Sequence, residues 1–312
     1  MTVTGSWKYS GPIFDAHTHI GHEGLAKMLA IEDEFDICKQ IGIVHTPKVL
    51  DYARSKYADR IIFAKYLPTS ETTRYNVQLL LEEVSTLYDE GYSLLKMWFG
   101  PRWRDYVEDE NNSFRLDDSR LNPFFEMIEK EEIPLIIHVG DPDTYFETLY
   151  HDTSKYGTKD ENLQQLENVL LQFPSLRLQI AHFGSQPEIH RLDNLARWMD
   201  TFPNIVLDTA SSRWMARELS KDPDTSRQFI LQYADRILFG TDVGSNRGEH
   251  EYYSGRYVAQ RLLWDTDVEH RPLPFVDQDT KDLGGTFING LDLPMSILEK
   301  LYWRNAHLFY NL

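Results

Sequence analysis

Residues 134–140 read Pro134-Leu135-Ile136-Ile137-His138-Val139-Gly140, a short apolar run closed by a histidine and a glycine. Unbroken apolarity, without the alternation of a half-exposed strand, marks a strand buried on both faces, as in a parallel sheet covered by helices. Ile205-Val206-Leu207 has the same character. Working outward from these two, strand-like runs at 12–17, 41–46, 60–67, 93–98, 134–139, 176–182, 204–209 and 236–241 make eight. Longer amphipathic stretches separate many of them and predict helices over 73–90, 120–132, 161–173, 187–202, 221–234 and 294–310. Asp118-Ser119 supplies an N-cap ahead of Leu121, Gly91 follows a charged helix end, and Pro174 and Pro203 stop helices.

Strand–helix alternation of this kind predicts an α/β fold with a parallel sheet. Eight units in roughly 250 residues fit a closed (β/α)8 TIM barrel better than an open doubly wound sheet. No glycine-rich dinucleotide fingerprint follows the first strand. No repeat, low-complexity tract or Pro/Ser linker divides the chain, so residues 1–312 are expected to form a single domain. The long segments 100–117, 141–160 and 243–292 each follow a strand, which places them as loops over the C-terminal face, where barrel enzymes keep their sites.

Among 312 residues, 32 Lys and Arg face 49 Asp and Glu, a formal net charge of −17. That balance argues against nucleic acid, whose phosphates call for clustered cations, and against an anionic membrane surface. No apolar run approaches the roughly 20 residues needed to span a bilayer. The first twenty residues show no signal peptide, and a cytoplasmic protein is the simplest expectation. The single cysteine, Cys38, excludes disulfides within the chain and multi-cysteine zinc sites. Within the helix-like stretch 34–38 it reads as a small buried apolar side chain rather than a nucleophile.

The candidate chemistry lies at strand ends. The first strand finishes Phe14-Asp15-Ala16-His17-Thr18-His19, and alternation along a strand puts His17 and His19 on one face. His138 closes the fifth strand, His182 the sixth and Asp242 the eighth. Any one of these reads as an ordinary polar residue where a strand meets its loop. Together they gather imidazoles and a carboxylate at one barrel face, a donor set suited to a divalent ion: Zn2+ first, with Mn2+, Fe2+ or Ni2+ as competitors. His182 and Asp242 also suit proton transfer.

The motifs Phe-Asp-Ala-His-Thr-His, Pro-Leu-Ile-Ile-His-Val-Gly, Ile-Ala-His-Phe-Gly and Leu-Phe-Gly-Thr-Asp together resemble the amidohydrolase superfamily. The nearest likeness is to its amidohydrolase-related branch (amidohydrolase 2), which includes aminocarboxymuconate semialdehyde decarboxylase and related decarboxylases and hydrolases. The resemblance covers nearly the whole chain, including Arg60-Ile61-Ile62-Phe63-Ala64 and the closing Asn305-Ala306-His307-Leu308-Phe309. It implies that His17, His19, His138 and Asp242 ligate one metal, with His182 as an adjoining base or electrophile. Lys96, near the end of the fourth strand, matches the position where binuclear relatives carry a carbamylated bridging lysine. Mononuclear members often hold a lysine there that bridges nothing.

The resemblance implies an enzyme. Metal-dependent hydrolysis of a small amide, lactone or related bond leads, with Asp242 and His182 moving protons. Non-oxidative decarboxylation of a carboxylated aromatic or enoic acid is the alternative, and a metal-free lactonase or a non-catalytic binding protein stands further off. A small-molecule substrate is the expected partner, and a homodimer an expected assembly, since the branch commonly dimerises. Among mouth-loop residues, Arg213, Arg102, Trp103 and His22 are the candidate substrate contacts, with Trp214, Arg247 and Glu23 beside them and Arg104 reading as a partner of Asp105 or Glu108. His45, His151, His190, His250, His270 and His307 share no spacing and read as structural, and Tyr252, Tyr253, Tyr257 and Trp264 read as packing or a subunit interface.

Overall fold

The computed structural model describes residues 7–67, 76–106 and 114–312, and in it the eight apolar runs are neighbours in one parallel sheet. The strands are β1 (Ile13–Ile20), β2 (Ile37–Val44), β3 (Ile61–Tyr66), β4 (Leu94–Trp98), β5 (Leu135–His138), β6 (Leu178–Ile180) and β7 (Ile205–Asp208). The eighth strand is split into β8 (Ile237–Leu238) and β9 (Val243–Gly244). β8 pairs with β7 and β9 with β1. Between the two halves, Ala16 N–H donates to Phe239 O and Asp242 N–H to His17 O, each at 2.8 Å. The ladder therefore closes on itself, and the protein is a TIM barrel.

Two apolar layers follow from strand alternation. Phe14, Ala16, Ile41, Ile43, Ala64, Leu94, Ile136, Val206 and Leu238 fill the barrel interior. Residues of opposite parity, such as Ile13, Leu95, Leu135, Ile137 and Leu178, pack outward against the helices. The final helix (Asn305–Tyr310) contributes Ala306, Phe309 and Tyr310 to the interior cluster, so the end of the chain plugs the floor. Helix Lys159–Gln172 shows how local chemistry sets a boundary. Thr158 and Glu161 form a reciprocal capping box, stabilising by about 1 kcal/mol, and Leu163, Leu166, Val169 and Leu170 are buried.

Several expectations need correction. The segment 243–292 is not an open loop: it holds a sixteen-residue helix (His250–Asp265) and a short antiparallel hairpin, β10 (Arg271–Pro272) with β11 (Phe287–Ile288). Tyr253, Tyr257 and Trp264 are buried on that helix, which makes them intramolecular packing rather than a subunit interface. Segment 141–160 likewise holds helices Asp143–Thr148 and Thr153–Tyr156. Cys38 belongs to β2, not a helix, and is exposed, with its Sγ 3.7 Å from Ile13 O. Residues 73–75 of the expected helix, residues 107–113 of the expected loop and Glu108 lie outside the described residues. No helix among the described residues is long and apolar enough to cross a membrane.

The exit from β6 is backbone of an uncommon kind. His182, Phe183, Gly184 and Ser185 all have positive φ (57°, 56°, 66° and 59°), one turn of left-handed helix. Each non-glycine residue there costs about 1–2 kcal/mol. The turn is held by Ser185 N–H to Ala181 O (3.1 Å), His182 N–H to Asp208 Oδ1 (2.9 Å) and Gly140 N–H to Ser185 Oγ (3.2 Å). It reverses the chain within one turn. A Cβ on Gly184 would meet Leu195 Cδ1 at 2.6 Å and Leu207 Cδ2 at 3.3 Å. Gly184→Ala combines left-handed strain with overpacking and is expected to destabilise by about 2–4 kcal/mol, read as a lower urea midpoint at unchanged slope.

Candidate metal centre

Closing the barrel brings the ends of β1 and the split eighth strand side by side. His17 Nε2 lies 3.6 Å and His19 Nε2 3.3 Å from Asp242 Oδ1. One donor atom from each of these three residues falls within 4.8 Å of the others, which makes them a group able to hold a metal ion. Asp242 reaches in because the chain turns at positive φ (59°) between the two halves of the strand. Burial alone would raise its pKa, but the hydrogen bond from His19 and the electrostatic environment of the neighbouring His17 and His182 rings hold it well below the ordinary carboxylate range.

Behind His17 sits Asp208, at the end of β7 and buried. Its Oδ2 accepts from His17 Nδ1 at 2.8 Å and Gln179 Nε2 at 2.6 Å, while its Oδ1 accepts from the backbone N–H groups of His182 and Ala210. Burial opposes its charge, yet His17 and these donors keep the carboxyl well below its usual range. With Nδ1–H committed to Asp208, the lone pair of His17 sits on Nε2, facing the cluster. This is the carboxylate–histidine arrangement that orients metal ligands.

His138, expected as a fourth ligand, is not part of the three-residue group. Its nitrogens face elsewhere: Nε2 donates to Asp141 Oδ1 at 3.1 Å, and Nδ1 lies 3.1 Å from His182 Nε2. Tyr150 donates its hydroxyl to the other Asp141 oxygen at 2.6 Å. These contacts fix a chain of tautomers. The Asp141 carboxylate accepts a hydrogen bond from His138 Nε2, His138 Nδ1 accepts from His182 Nε2, and His182 Nδ1 is left as a buried acceptor with no partner. Burial, then the neighbouring His138, pulls the His182 pKa down to about 3, so the ring is neutral.

Lys96 points into the interior with Nζ 3.3 Å from His17 Nε2, and burial pulls its ammonium down to about 8. It therefore approaches the same nitrogen that the cluster uses. Above lies a cavity of about 610 Å³, lined among others by His19, His45, Arg213, Trp214, Asp242 and Arg256.

Of the expected substrate contacts, Arg213, Trp214 and Arg247 line this cavity, and Arg102, Trp103 and His22 do not. The chain after β4 turns inward as a 3-10 helix (Pro101–Asp105), which stacks Trp103 against Phe99 and Phe114 at 1% exposure. Arg102 lies outside on the same turn, 3.7 Å from Asp105. His22 is exposed and packs on Tyr52 with ring centres 4.1 Å apart. Conversely, His45 lines the cavity with Nε2 3.1 Å from His19 Nδ1, rather than serving a remote structural purpose. His45 and Asp208 carried the same sequence signal as the recognised residues, a polar side chain ending an apolar strand. Asp141 and Tyr150 carried none, because their meeting depends on the path of segment 141–160.

A group able to hold a divalent ion at the mouth of a (β/α)8 barrel is the class that fold and site define. The chain belongs to the amidohydrolase family, whose model matches residues 104–312. No curated protein matches the chain. Among solved structures it is similar to a Pseudomonas putida protein described as a 2-pyrone-4,6-dicarboxylic acid hydrolase, with TM-score 0.56, 10% identity, and 96% of this chain and 97% of that one covered. It is also similar to 5-carboxyvanillate decarboxylase from Sphingomonas paucimobilis, with TM-score 0.53, 14% identity, and coverage of 92% and 82%. At these identities the likeness is one of fold.

Asp208→Asn keeps the shape but removes the charge that orients His17. Divalent-ion affinity is expected to fall by about 10- to 100-fold, read by chelator competition with Zn2+ as the probe; an unchanged affinity would separate Asp208 from the cluster.

Proposed function

We propose that the protein is a metal-dependent hydrolase of a small molecule, acting at an amide, lactone or related bond. The observation that carries this reading is the convergence of His17 Nε2, His19 Nε2 and Asp242 Oδ1 beneath an open cavity. The donor set fits a divalent ion. Ligand bonds of about 2.1 Å in tetrahedral geometry place donor atoms roughly 3.4 Å apart, and the two measured N···O separations are 3.3 and 3.6 Å. Two imidazoles and a carboxylate favour Zn2+, with Mn2+, Fe2+ or Ni2+ as competitors. A bound ion would lower the pKa of a water and polarise a carbonyl.

The rest is work for the protein's own side chains. His17, locked by Asp208, and His19 fix where the reacting group lies. Asp242 is ionised and can take the proton that an attacking water gives up. His182, neutral and anchored through His138 to Asp141, keeps Nδ1 free and lies beside His17 and Trp214, whose rings are 5.4 and 5.0 Å away. Trp214, 6% exposed, keeps bulk water from that side.

A second reading, decarboxylation of a carboxylated aromatic or enoic acid, draws support from arginines in the cavity wall and from the fold shared with a decarboxylase. A panel of lactones, amides and aromatic carboxylic acids separates the two, because ring opening or acid release marks hydrolysis and carbon dioxide release marks decarboxylation. Asp242→Asn and His182→Asn are each expected to lower kcat by at least about 100-fold on the accepted substrate. Wild-type turnover by Asp242→Asn, or full turnover after chelation with no ion bound, would overturn the metal-dependent reading.

A further inference from the structure

Sixteen residues line the cavity, and their charges do not match those of the chain. The protein carries −17 overall, yet the lining has three arginines, Arg213, Arg247 and Arg256, and one carboxylate, Asp242. Among the described residues no carboxylate oxygen lies within 4.0 Å of Arg247 or Arg256. Arg213 reaches Asp277 and Asp279 only at 3.9 Å, and both acids are held more closely by Arg217, at 3.0 and 2.7 Å.

Arg256 is the most constrained of the three. Its guanidinium carbon lies 3.6 Å from the centre of the Tyr252 ring and 4.6 Å from that of Phe275, and Nη1 donates to Tyr252 O at 2.8 Å. A guanidinium whose face is taken by aromatic rings leaves its edge N–H groups for an in-plane acceptor, the geometry that a carboxylate fits. Burial and the like charges of Arg213 and Arg247 weigh against the Arg256 cation, while Asp242 favours it, so all four groups feel one another across the cavity. Gathering three cations beside one acid is unfavourable until an anion enters between them.

We propose that Arg256, with Arg213 and Arg247, forms an anion-binding wall that receives a carboxylate of the substrate, so that the molecule processed is a small carboxylic acid and not a neutral ester or amide. This deepens the proposed function and rests on its identification of the cavity as the active site. The charged group sits at the wall formed by helix His250–Asp265, and the reacting bond lies beside His17, His19 and Asp242. The segment carrying Phe275 is pinned through Asp277 to Arg217, so the clamp on Arg256 is part of the folded mouth.

The test is calorimetric binding of benzene-1,3-dicarboxylate, with its uncharged diamide as control, to chelator-treated and to Zn2+-loaded protein. The expected result is that the dianion binds chelator-treated wild type at least about tenfold more tightly than the diamide. Arg256→Met should weaken dianion binding by at least about tenfold, and Arg256→Lys, which keeps the charge but loses the planar fork, should fall in between. Diamide binding should not follow the series. Equal affinity for dianion and diamide, no dianion binding by wild type, or wild-type dianion affinity in both variants would overturn the wall. Should Arg256→Met fail to fold, wild-type affinity in Arg256→Lys would overturn the fork recognition that the proposal requires. Metal retention in the same samples keeps the two readings apart. Arginine-dependent binding without turnover defeats the hydrolase reading alone, whereas metal-dependent turnover of neutral substrates without dianion preference defeats the wall alone.

Discussion

One buried carboxylate, Asp208, holds the working end of the barrel together. It accepts from His17 on β1, Gln179 on β6 and the backbone at the left-handed turn that leaves β6, so β1, β6 and β7 share one anion. A lone buried charge would cost several kcal/mol, and here several charge-assisted hydrogen bonds offset that cost. The same contacts that make the charge tolerable also set its consequences. His17 can present only Nε2 to the cavity, and the His182 backbone cannot swing away from β7.

Strain is concentrated around this anion. The left-handed turn at His182–Ser185 and the positive φ of Asp242 and Ser211 all lie where strands give way to the mouth. Unfavourable backbone of this kind persists only where the surroundings over-determine it. The surroundings here are two apolar layers and a ladder closed through the split eighth strand. Splitting that strand lets Asp242 leave the sheet while Val243 and Gly244 still pair with β1. A continuous strand would keep position 242 in the ladder. The break is thus the geometric condition for the carboxylate to join the two histidines.

These constraints explain what the sequence made legible. Strand identity was readable because burial on both faces leaves an apolar run, and any residue ending such a run must sit at a barrel mouth. That logic reached His17, His19, His182 and Asp242, and applied evenly it would have reached His45 and Asp208. It does not by itself place His138 in the three-residue group, because strand position does not choose a rotamer: Asp141, itself held by Tyr150 from segment 141–160, takes the His138 Nε2 hydrogen bond. It failed for Trp103 because nothing local signals that the chain after β4 folds back into the core. Segment 243–292 misled for another reason. Its helix buries Tyr253, Tyr257, Gln260, Arg261 and Asp265 along with Leu262, Leu263 and Trp264, so polar side chains blur the periodicity in the bare sequence.

The charge distribution has a physical reading that composition alone reverses. A net −17 suggests that an acidic substrate would be repelled, yet electrostatic range in physiological salt is about 8 Å. Asp242 is the one acid in the cavity lining, and others are paired with cations of their own, as Asp105, Asp118 and Glu167 are. What an entering molecule meets is the local field of Arg213, Arg247 and Arg256 above a single carboxylate. Low-dielectric walls strengthen that field where screening is least effective. An acidic protein and a cationic mouth are therefore compatible. The global charge governs solubility and non-specific contact, while a few fixed guanidinium groups govern what enters.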